Sequence, residues 1–243
     1  MISSSSRVLI ALDFDNADAA VACARSLSGH VGGVKVGLEL VNAAGFDIFD
    51  RLHDAGIDRI FYDAKFHDIP NTVAGAVRAA ARRGVWMINV HASGGGAMLR
   101  AAREAAAQAE TRPLLIAVTV LTSIDSVALS HDLRVPGTIT AHVEHLARMA
   151  QTCGLDGVVA SPHEVSAIRA ACGPDFLTVI PGVRLAGAAA HDQARVATPG
   201  ETIAAGADYL VVGRAITGAP DPVAAAESIN DEVAAARAAN GSH

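Results

Sequence analysis

The sequence predicts an α/β protein that folds as a single-domain (β/α)8 TIM barrel over residues 1–243. Short runs rich in Val, Ile and Leu recur eight times, and Ala-rich stretches with helical periodicity separate them. Nearly continuous hydrophobic strands that alternate with helices indicate a parallel sheet covered by helices. Eight such units in a chain of this length favour a closed barrel, which commonly forms a single domain.

The strands and helices follow one another in regular order along the chain. Strands are expected at residues 7–14, 33–37, 59–66, 86–91, 114–121, 157–161, 176–183 and 209–213. Helices are expected at residues 17–27, 46–55, 72–83, 97–108, 139–153, 163–171 and 199–205, and from Pro222 to about residue 239. No G-x-G-x-x-G motif follows the first strand, which argues against a dinucleotide-binding fold.

Composition excludes several classes of protein. Hydrophobic residues make up 51% of the chain, enough for one large core, and the net charge of −6 argues against a nucleic-acid surface. Three widely spaced cysteines favour a reduced interior. The Ser-rich start lacks the features of a signal peptide, and the longest apolar run, residues 114–121, is too short to span a bilayer. We therefore expect a cytoplasmic protein with no nucleic-acid or membrane partner.

The most informative stretch is F-Y-D-A-K-F-H-D-I-P-N-T-V at residues 61–73. Asp63 and Lys65 are two apart on a predicted strand and should point to the same side. Asp68 follows the end of that strand, and Asn71 or Thr72 is the expected N-cap of the next helix. Charged side chains at the end of a buried strand are expected either to form ion pairs or to take part in a functional site. A structural ion pair is the alternative interpretation of an isolated D-x-K.

Other polar residues occur where predicted strands end, which is where the working residues of such barrels lie. Asp13 is either a turn or cap residue or part of a site, and Lys35 lies between apolar neighbours, so it belongs to a site or a buried pair. His91 is expected either to pack within the barrel mouth or to have a role in the site. The Ser-Gly-Gly-Gly run at residues 93–96 is read as a turn and helix start more readily than as a phosphate cradle.

The end of the eighth strand is predicted to bind phosphate. Gly213 permits close backbone approach, the following helical turn offers N–H groups, and Arg214 adds a charged fork. His142 and His145 are three apart on a predicted helix and could offer two metal ligands. Since no third ligand is near in sequence, we expect these two histidines to be exposed on an outer helix and predict no metal site.

The unbroken string from Asp63 to Thr72 resembles the signature of the orotidine 5'-phosphate decarboxylase family. Six further motifs match this family in order: A-L-D at 11–13, V-K-V-G at 34–37, V-T-V-L-T-S at 118–123, P-G-V-R at 181–184, D-Q-A-R at 192–195 and V-V-G-R-A-I at 211–216. The resemblance implies cofactor-free decarboxylation of orotidine 5'-phosphate to UMP and CO2 in de novo pyrimidine biosynthesis, by a homodimer.

The resemblance also implies a role for each matching residue. Lys35, Asp63, Lys65 and Asp68 would form an alternating charged array, with Lys65 as the proton donor to C6 and Asp68 reaching into the neighbouring subunit's site. The implied substrate contacts are Asp13 and Lys35 at the ribose, Ile69 and Thr72 across the dimer, Thr122 and Ser123 along the pyrimidine edge, Gln193 between base and phosphate, and Arg184, Gly213 and Arg214 at the phosphate. Residues 185–195 would form a lid.

Two other functions are compatible with parts of this pattern. A metal-dependent sugar-phosphate aldolase or epimerase on the same barrel would share D-x-K-x-x-D and the phosphate site, but it gives no reason for H-D-I-P-N-T. A non-catalytic barrel that binds a nucleotide phosphate would bind UMP without turnover. The intact set of Asp63, Lys65 and Asp68 favours the decarboxylase over both.

Overall fold

The computed structural model describes residues 5–183 and 197–240 of the chain, and eight parallel strands close into a barrel in sequence order. Each strand pairs with its neighbours along the chain, and the last pairs with the first. The strands are β1 Val8–Ala11, β2 Gly33–Val36, β3 Ile60–Phe66, β4 Met87–His91, β5 Leu114–Val118, β6 Gly157–Val159, β7 Leu177–Ile180 and β8 Tyr209–Val212. The predicted (β/α)8 barrel and all eight strand positions are confirmed.

Helices surround the barrel and connect its strands. They are α1 Ala17–Ser26, α2 Leu38–Ala44, α3 Asp47–Asp54, α4 Pro70–Ala81, α5 Gly95–Ala107, α6 Ile139–Thr152, α7 Val165–Cys172, α8 Pro199–Ala204, α9 Arg214–Thr217 and α10 Pro222–Asn240. None of the described helices is both long and apolar enough to cross a bilayer. The eight predicted helices are confirmed within a few residues, whereas α2 and α9 were not predicted.

The predicted N-cap residue of α4 was wrong. The helix begins at Pro70 and its N-cap is Ile69, in an extended conformation, so neither Asn71 nor Thr72 caps it. Proline suits the first helical position because its ring already holds a helical φ and that position needs no N–H. Proline therefore sets this boundary, and the polar residues after it lie in the first turn.

The core has two parts, one between sheet and helices and one inside the barrel. The interior part consists of Leu9, Ala11, Phe61, Met87, Ile116, Val179, Tyr209 and Val211. At the amino ends of the strands, the Arg59 guanidinium lies 3.9 Å from the Trp86 ring centroid, and Trp86 meets Tyr209 edge-on at 5.4 Å. These large side chains fill the barrel at that end, whereas a cavity opens at the carboxyl ends of the strands.

Candidate active site

A cavity of about 390 Å³ opens at the carboxyl ends of the strands. This volume is in the range of small-molecule sites. Its charged and polar lining comprises Asp13, Lys35, Asp63, Lys65, Thr122, Ser123 and Arg214, with the backbone of Gly182 and Gly213. Its apolar lining includes Ala11, Phe61, Val118, Val120, Leu121, Val159, Pro181 and Val211. An apolar wall with a few convergent charges is suited to hold a polar ligand in one orientation.

Four charged side chains form a continuous row across the floor of this cavity. Lys35 Nζ lies 2.9 Å from Asp13 Oδ1 and 3.6 Å from Asp63 Oδ2, and Lys65 Nζ lies 2.7 Å from Asp63 Oδ1. The side chains of Lys35 and Asp63 are only 10% and 13% exposed. Neighbouring strands place them together, because Ala11 pairs with Lys35 and Lys35 with Phe61 in the sheet register. The predicted convergence of Lys35, Asp63 and Lys65 is thus observed.

Asp13 belongs to the same row and is not a helix cap. The N-cap of α1 is Asn16, whose side chain accepts hydrogen bonds from the N–H groups of Asp18 and Ala19. The Asp13 side chain is 52% exposed and bonded to Lys35. It can therefore present a carboxylate oxygen to a ligand while it holds the lysine in place.

The pKa of Asp63 reflects a balance of opposing influences. Burial by itself would raise this pKa, because a carboxylate loses hydration in the interior. The charges of Lys35 and Lys65, together with hydrogen bonds from Lys65 and Asn89, outweigh burial and bring the pKa of Asp63 below its ordinary value. Asp63 is consequently an anion at neutral pH, held beside two cations.

The β3 strand is irregular where it carries these charges. Its register against β4 shifts between Tyr62 and Phe66, which pair with Ile88 and Val90 respectively. Four steps along β3 therefore match two along β4, and Lys65 lies within the bulge with φ of 51°. A left-handed φ is uncommon for a residue with a side chain and costs about 1–3 kcal/mol. Bulges of this kind redirect side chains beside active sites.

Asn89 on β4 joins the two charged residues of the bulge. Its Oδ1 accepts a hydrogen bond from the Lys65 backbone N–H at 2.7 Å, and its Nδ2 donates to Asp63 Oδ1 at 2.7 Å. Asn89 is fully buried. No role for Asn89 was predicted from the sequence. Its signal in the sequence was an amide within the apolar run M-I-N-V-H.

Gly37 provides room for the Lys35 ammonium. A Cβ on Gly37 would lie 2.8 Å from Lys35 Nζ and 3.7 Å from Asp13 Oδ1. The first distance is too short for a nonbonded contact, so a larger residue would displace the ammonium. Gly37 belongs to the motif V-K-V-G at residues 34–37, and this close approach explains why a glycine stands there.

The other predicted substrate residues fall into three groups by their position. Thr122, Ser123, Gly213 and Arg214 line the cavity, and Gly213 is the N-cap of α9. Asp68, Ile69 and Thr72 are exposed and are not among the described residues that line it. Arg184, Gln193 and the expected lid at residues 185–195 lie outside the described residues.

None of the histidines considered in the sequence is among the described residues that line the cavity. His91 is half-buried, and its ring lies 5.4 Å from that of His67. Burial lowers the pKa of His91, and the charges of His67 and Lys65 lower it further, against a smaller opposing effect of Asp63. His142 and His145 stack on α6 with centroids 6.5 Å apart. Residues 93–96 form a turn and the start of α5, as expected.

Across the described part of the chain, no three His, Cys, Asp or Glu side chains gather closely enough to hold a metal ion. The charges that converge on the cavity alternate in sign, with two lysines among them. Such a row can place an ammonium and a carboxylate side by side against a bound ligand, which suits stabilisation of a developing negative charge and transfer of a proton.

Comparisons with known proteins identify the family of this chain. The model of the orotidine 5'-phosphate decarboxylase / HUMPS family matches residues 6–229. A protein of Halorhodospira halophila named orotidine 5'-phosphate decarboxylase is 54% identical, over 95% of this chain and 97% of its own. One of Chromobacterium violaceum with the same name is 51% identical, over 94% and 92%. The crystal structure of orotidine 5'-phosphate decarboxylase from Lactobacillus acidophilus has a TM-score of 0.80 at 38% identity, covering 93% of this chain and 98% of that one. This chain therefore belongs to the orotidine 5'-phosphate decarboxylase / HUMPS family.

Proposed function

We propose that this protein is a cytoplasmic enzyme of pyrimidine biosynthesis that decarboxylates orotidine 5'-phosphate to UMP and CO2 without a cofactor. The observation that carries the proposal is the row Asp13–Lys35–Asp63–Lys65 on the floor of a cavity that also contains Arg214. Family membership supports the same activity, since the relatives named above carry that name over nearly their whole length.

Lys65 is the proton donor in this proposal. Loss of CO2 leaves an electron pair on C6 of the pyrimidine that no ring carbonyl stabilises well by resonance. An ammonium fixed beside C6 stabilises this developing charge and then transfers a proton to it. The contact of Lys65 Nζ with Asp63 at 2.7 Å supports the role, because it holds the ammonium in one place before the substrate binds.

Asp63 has a separate role, which is to distinguish the ground state from the transition state. With its pKa lowered, it is an anion at neutral pH. The substrate carboxylate placed beside it would be repelled, and that repulsion disappears as CO2 leaves. The two lysines on either side keep Asp63 charged throughout, so the repulsion is not relieved by protonation of Asp63.

The remaining lining residues suit the other parts of the nucleotide. Asp13 and Lys35 would bind the ribose hydroxyls, and Thr122 and Ser123 would lie along the pyrimidine edge. Arg214 and the backbone at Gly213 would bind the phosphate, at the place where such barrels commonly do so. Arg184 and Gln193 would complete the phosphate end, with residues 185–195 closing over it.

The active form would be a homodimer. Exposed large apolar side chains in the connections that follow β2, β3 and β5 support this: Leu38, Phe46, Ile69, Leu121, Val127 and Leu133. Exposed apolar surface of this kind is typical of an interaction site. In this dimer Asp68, Ile69 and Thr72 would reach the neighbouring subunit's cavity, in keeping with their exposed positions.

Replacement of Lys65 tests the proposed chemistry. Lys65→Ala should lower kcat for orotidine 5'-phosphate by about a thousandfold or more, because both the cation and the proton donor are lost. UMP should still bind, which calorimetry can measure, since the ribose and phosphate contacts remain.

Lys65→Arg is the matched control for charge. It keeps a cation beside Asp63, but a guanidinium does not give up its proton. We expect this variant to be inactive as well. Substantial turnover by Lys65→Arg, or normal turnover by Lys65→Ala, would exclude Lys65 as the proton donor.

A further inference from the structure

We propose that Asn89 is a positioning residue for the decarboxylation, one that holds Lys65 and Asp63 in their working arrangement without touching the substrate. This inference rests on the proposed function. Asn89 lies on β4 behind the charged row, is fully buried, and does not line the cavity as described. It would therefore act through the two residues it binds.

The two hydrogen bonds of Asn89 determine which way its amide points. Oδ1 faces the Lys65 backbone N–H and Nδ2 faces the Asp63 carboxylate, each at 2.7 Å. The reverse orientation would set an oxygen against the carboxylate and an NH2 against an N–H, leaving both pairs unfavourable. Asparagine is thus matched to this position, since it offers one acceptor and one donor a short distance apart.

The first bond stabilises the unusual backbone of Lys65. The bulge removes Lys65 from the regular β3–β4 pairing, so its N–H cannot use a strand carbonyl in the usual way. A buried N–H requires a partner, and Asn89 Oδ1 supplies it. The same bond resists relaxation of the φ of 51° towards ordinary strand values. Relaxation would swing the Lys65 side chain away from Asp63.

The second bond keeps Asp63 fixed during the reaction. Asp63 Oδ1 accepts hydrogen bonds from both Lys65 Nζ and Asn89 Nδ2. When Lys65 transfers its proton it becomes a neutral amine, and its attraction for the carboxylate falls. The Asn89 amide donates with unchanged strength at that moment, because it carries no charge to lose. Asp63 is then still in place when the lysine is reprotonated.

A purely structural role makes a different prediction, which kinetics can separate. If Asn89 only satisfies a buried N–H, its removal lowers stability and leaves kcat of the folded protein unchanged. If it positions Lys65 and Asp63, kcat falls while nucleotide binding persists. Thr178 is a suitable control: it is fully buried, lies at the opposite end of the barrel, and bonds to Arg169 and Asp208.

The experiment compares wild type, Asn89→Ala and Thr178→Ala for thermal stability, kcat and KM with orotidine 5'-phosphate, and affinity for UMP. We expect Asn89→Ala to lower kcat by about a hundredfold or more, with KM and UMP affinity within about threefold. Thr178→Ala should lose stability and keep kcat. Asn89→Ala with a near-normal kcat would overturn the inference, as would an equal loss of kcat and UMP affinity.

Asn89→Asp provides a second test if Asn89→Ala does not fold, because it retains an oxygen for the Lys65 N–H. While the introduced carboxyl is protonated it can also donate to Asp63, as the amide does. Once ionised it repels Asp63. At pH 9, where we expect this carboxyl to be ionised, kcat of Asn89→Asp should therefore lie about tenfold or more below that of wild type, and a near-normal kcat at this pH would overturn the inference.

The two proposals fail in different ways. An inactive wild-type protein would overturn the proposed decarboxylation and with it the role of Asn89. An active wild-type protein with a fully active Asn89→Ala variant would leave the decarboxylation intact and remove only the positioning role.

Discussion

At the scale of single residues, burial and charge act against each other in this site. Asp63 is an anion because two neighbouring lysines outweigh its desolvation. His91 responds in the opposite way, since burial and the nearby His67 and Lys65 disfavour its charged form. The charged form of Asp63 is thus favoured and the charged form of His91 is disfavoured, although Asp63 acts electrostatically on His91.

The lowered pKa of His91 makes folding stability depend on pH. In the folded protein this histidine stays neutral at a pH where the unfolded chain, with an ordinary value of about 6.5, already binds a proton. The unfolded state then binds more protons, so stability falls as pH drops below that value. His91→Gln should lose less thermal stability between pH 7 and pH 5 than wild type does.

The control for this measurement is His131→Gln, which replaces an exposed histidine in a surface turn. This variant tests whether the loss of any histidine, and not of His91 in particular, changes the pH dependence of the melting temperature. Identical curves for His91→Gln and wild type would mean that His91 does not contribute to the acid sensitivity.

Residue-level prediction worked where strand ends carried charge. Lys35, Asp63 and Lys65 could be placed together because the carboxyl ends of barrel strands meet. The pairing of Asp13 with Lys35 was left open, since the local sequence does not distinguish a helix-capping carboxylate from one that forms an ion pair with a lysine. Asn89 and Gly37 received no role because each depends on the position of an atom from another strand or side chain.

At the scale of elements, the bulge in β3 is the feature that the sequence did not reveal. Regular alternation predicted that Asp63 and Lys65 share a face, and they are in contact. The route to that contact is irregular, with a register shift and a left-handed φ at Lys65. The alternation of side chains along a strand therefore predicted that Asp63 and Lys65 are neighbours. It did not predict the bulged backbone that brings them into contact.

The missed helices have a similar explanation. The α2 helix spans only Leu38–Ala44, and α9 only Arg214–Thr217. Segments this short show too few turns for helical periodicity to be recognised. The start of α4 was misplaced because Asn71 and Thr72 are good caps in isolation, whereas Pro70 already suits the first helical position.

The connection from β2 to α2 carries a prediction about Gly37. Gly37→Ala would bring a Cβ to 2.8 Å from Lys35 Nζ, so the ammonium must move from Asp13 and Asp63. We expect kcat/KM for orotidine 5'-phosphate to fall by between about tenfold and a hundredfold, as small misplacements at active sites do. Steady-state kinetics on the purified variant would measure this.

Gly75→Ala is the matched control within α4. Its nearest neighbour outside the helix backbone would be Arg78 Nη2, at 3.9 Å, so the added methyl has room. It should leave kcat/KM unchanged and raise the free energy of unfolding by about 0.5–1 kcal/mol, because alanine favours a helix over glycine. An unchanged kcat/KM in Gly37→Ala would show that the position of Lys35 is less critical than we propose.

At the scale of the whole molecule, the barrel separates stability from chemistry. Arg59, Trp86 and Tyr209 fill its amino-terminal end, and the charged row occupies the other. The order of strands and helices could be predicted because its signal is spread over the whole chain. Periodicity carried no signal for an interface between copies of the chain, so the homodimer rests on the resemblance and stays a proposal.

Hybrid dimers test whether Asp68 acts across subunits. Lys65→Ala and Asp68→Ala should each be inactive alone. In a mixed dimer, one site would combine the intact Lys65 of one subunit with the intact Asp68 of the other. After random exchange, half the dimers are mixed and one of their two sites works, so activity should recover to about a quarter of wild type. No recovery in a mixture proven to exchange subunits would place Asp68 in its own subunit's site.

We propose above all that this barrel decarboxylates orotidine 5'-phosphate without a metal or cofactor. The most direct measurement is the loss of the substrate's ultraviolet absorbance on adding purified, folded protein in the presence of excess chelator. We predict rapid loss with UMP as the product, at a rate that chelator does not change. No loss, followed by metal-dependent turnover of pentulose or hexulose phosphates by the same sample, would contradict the claim and assign the site to sugar-phosphate chemistry.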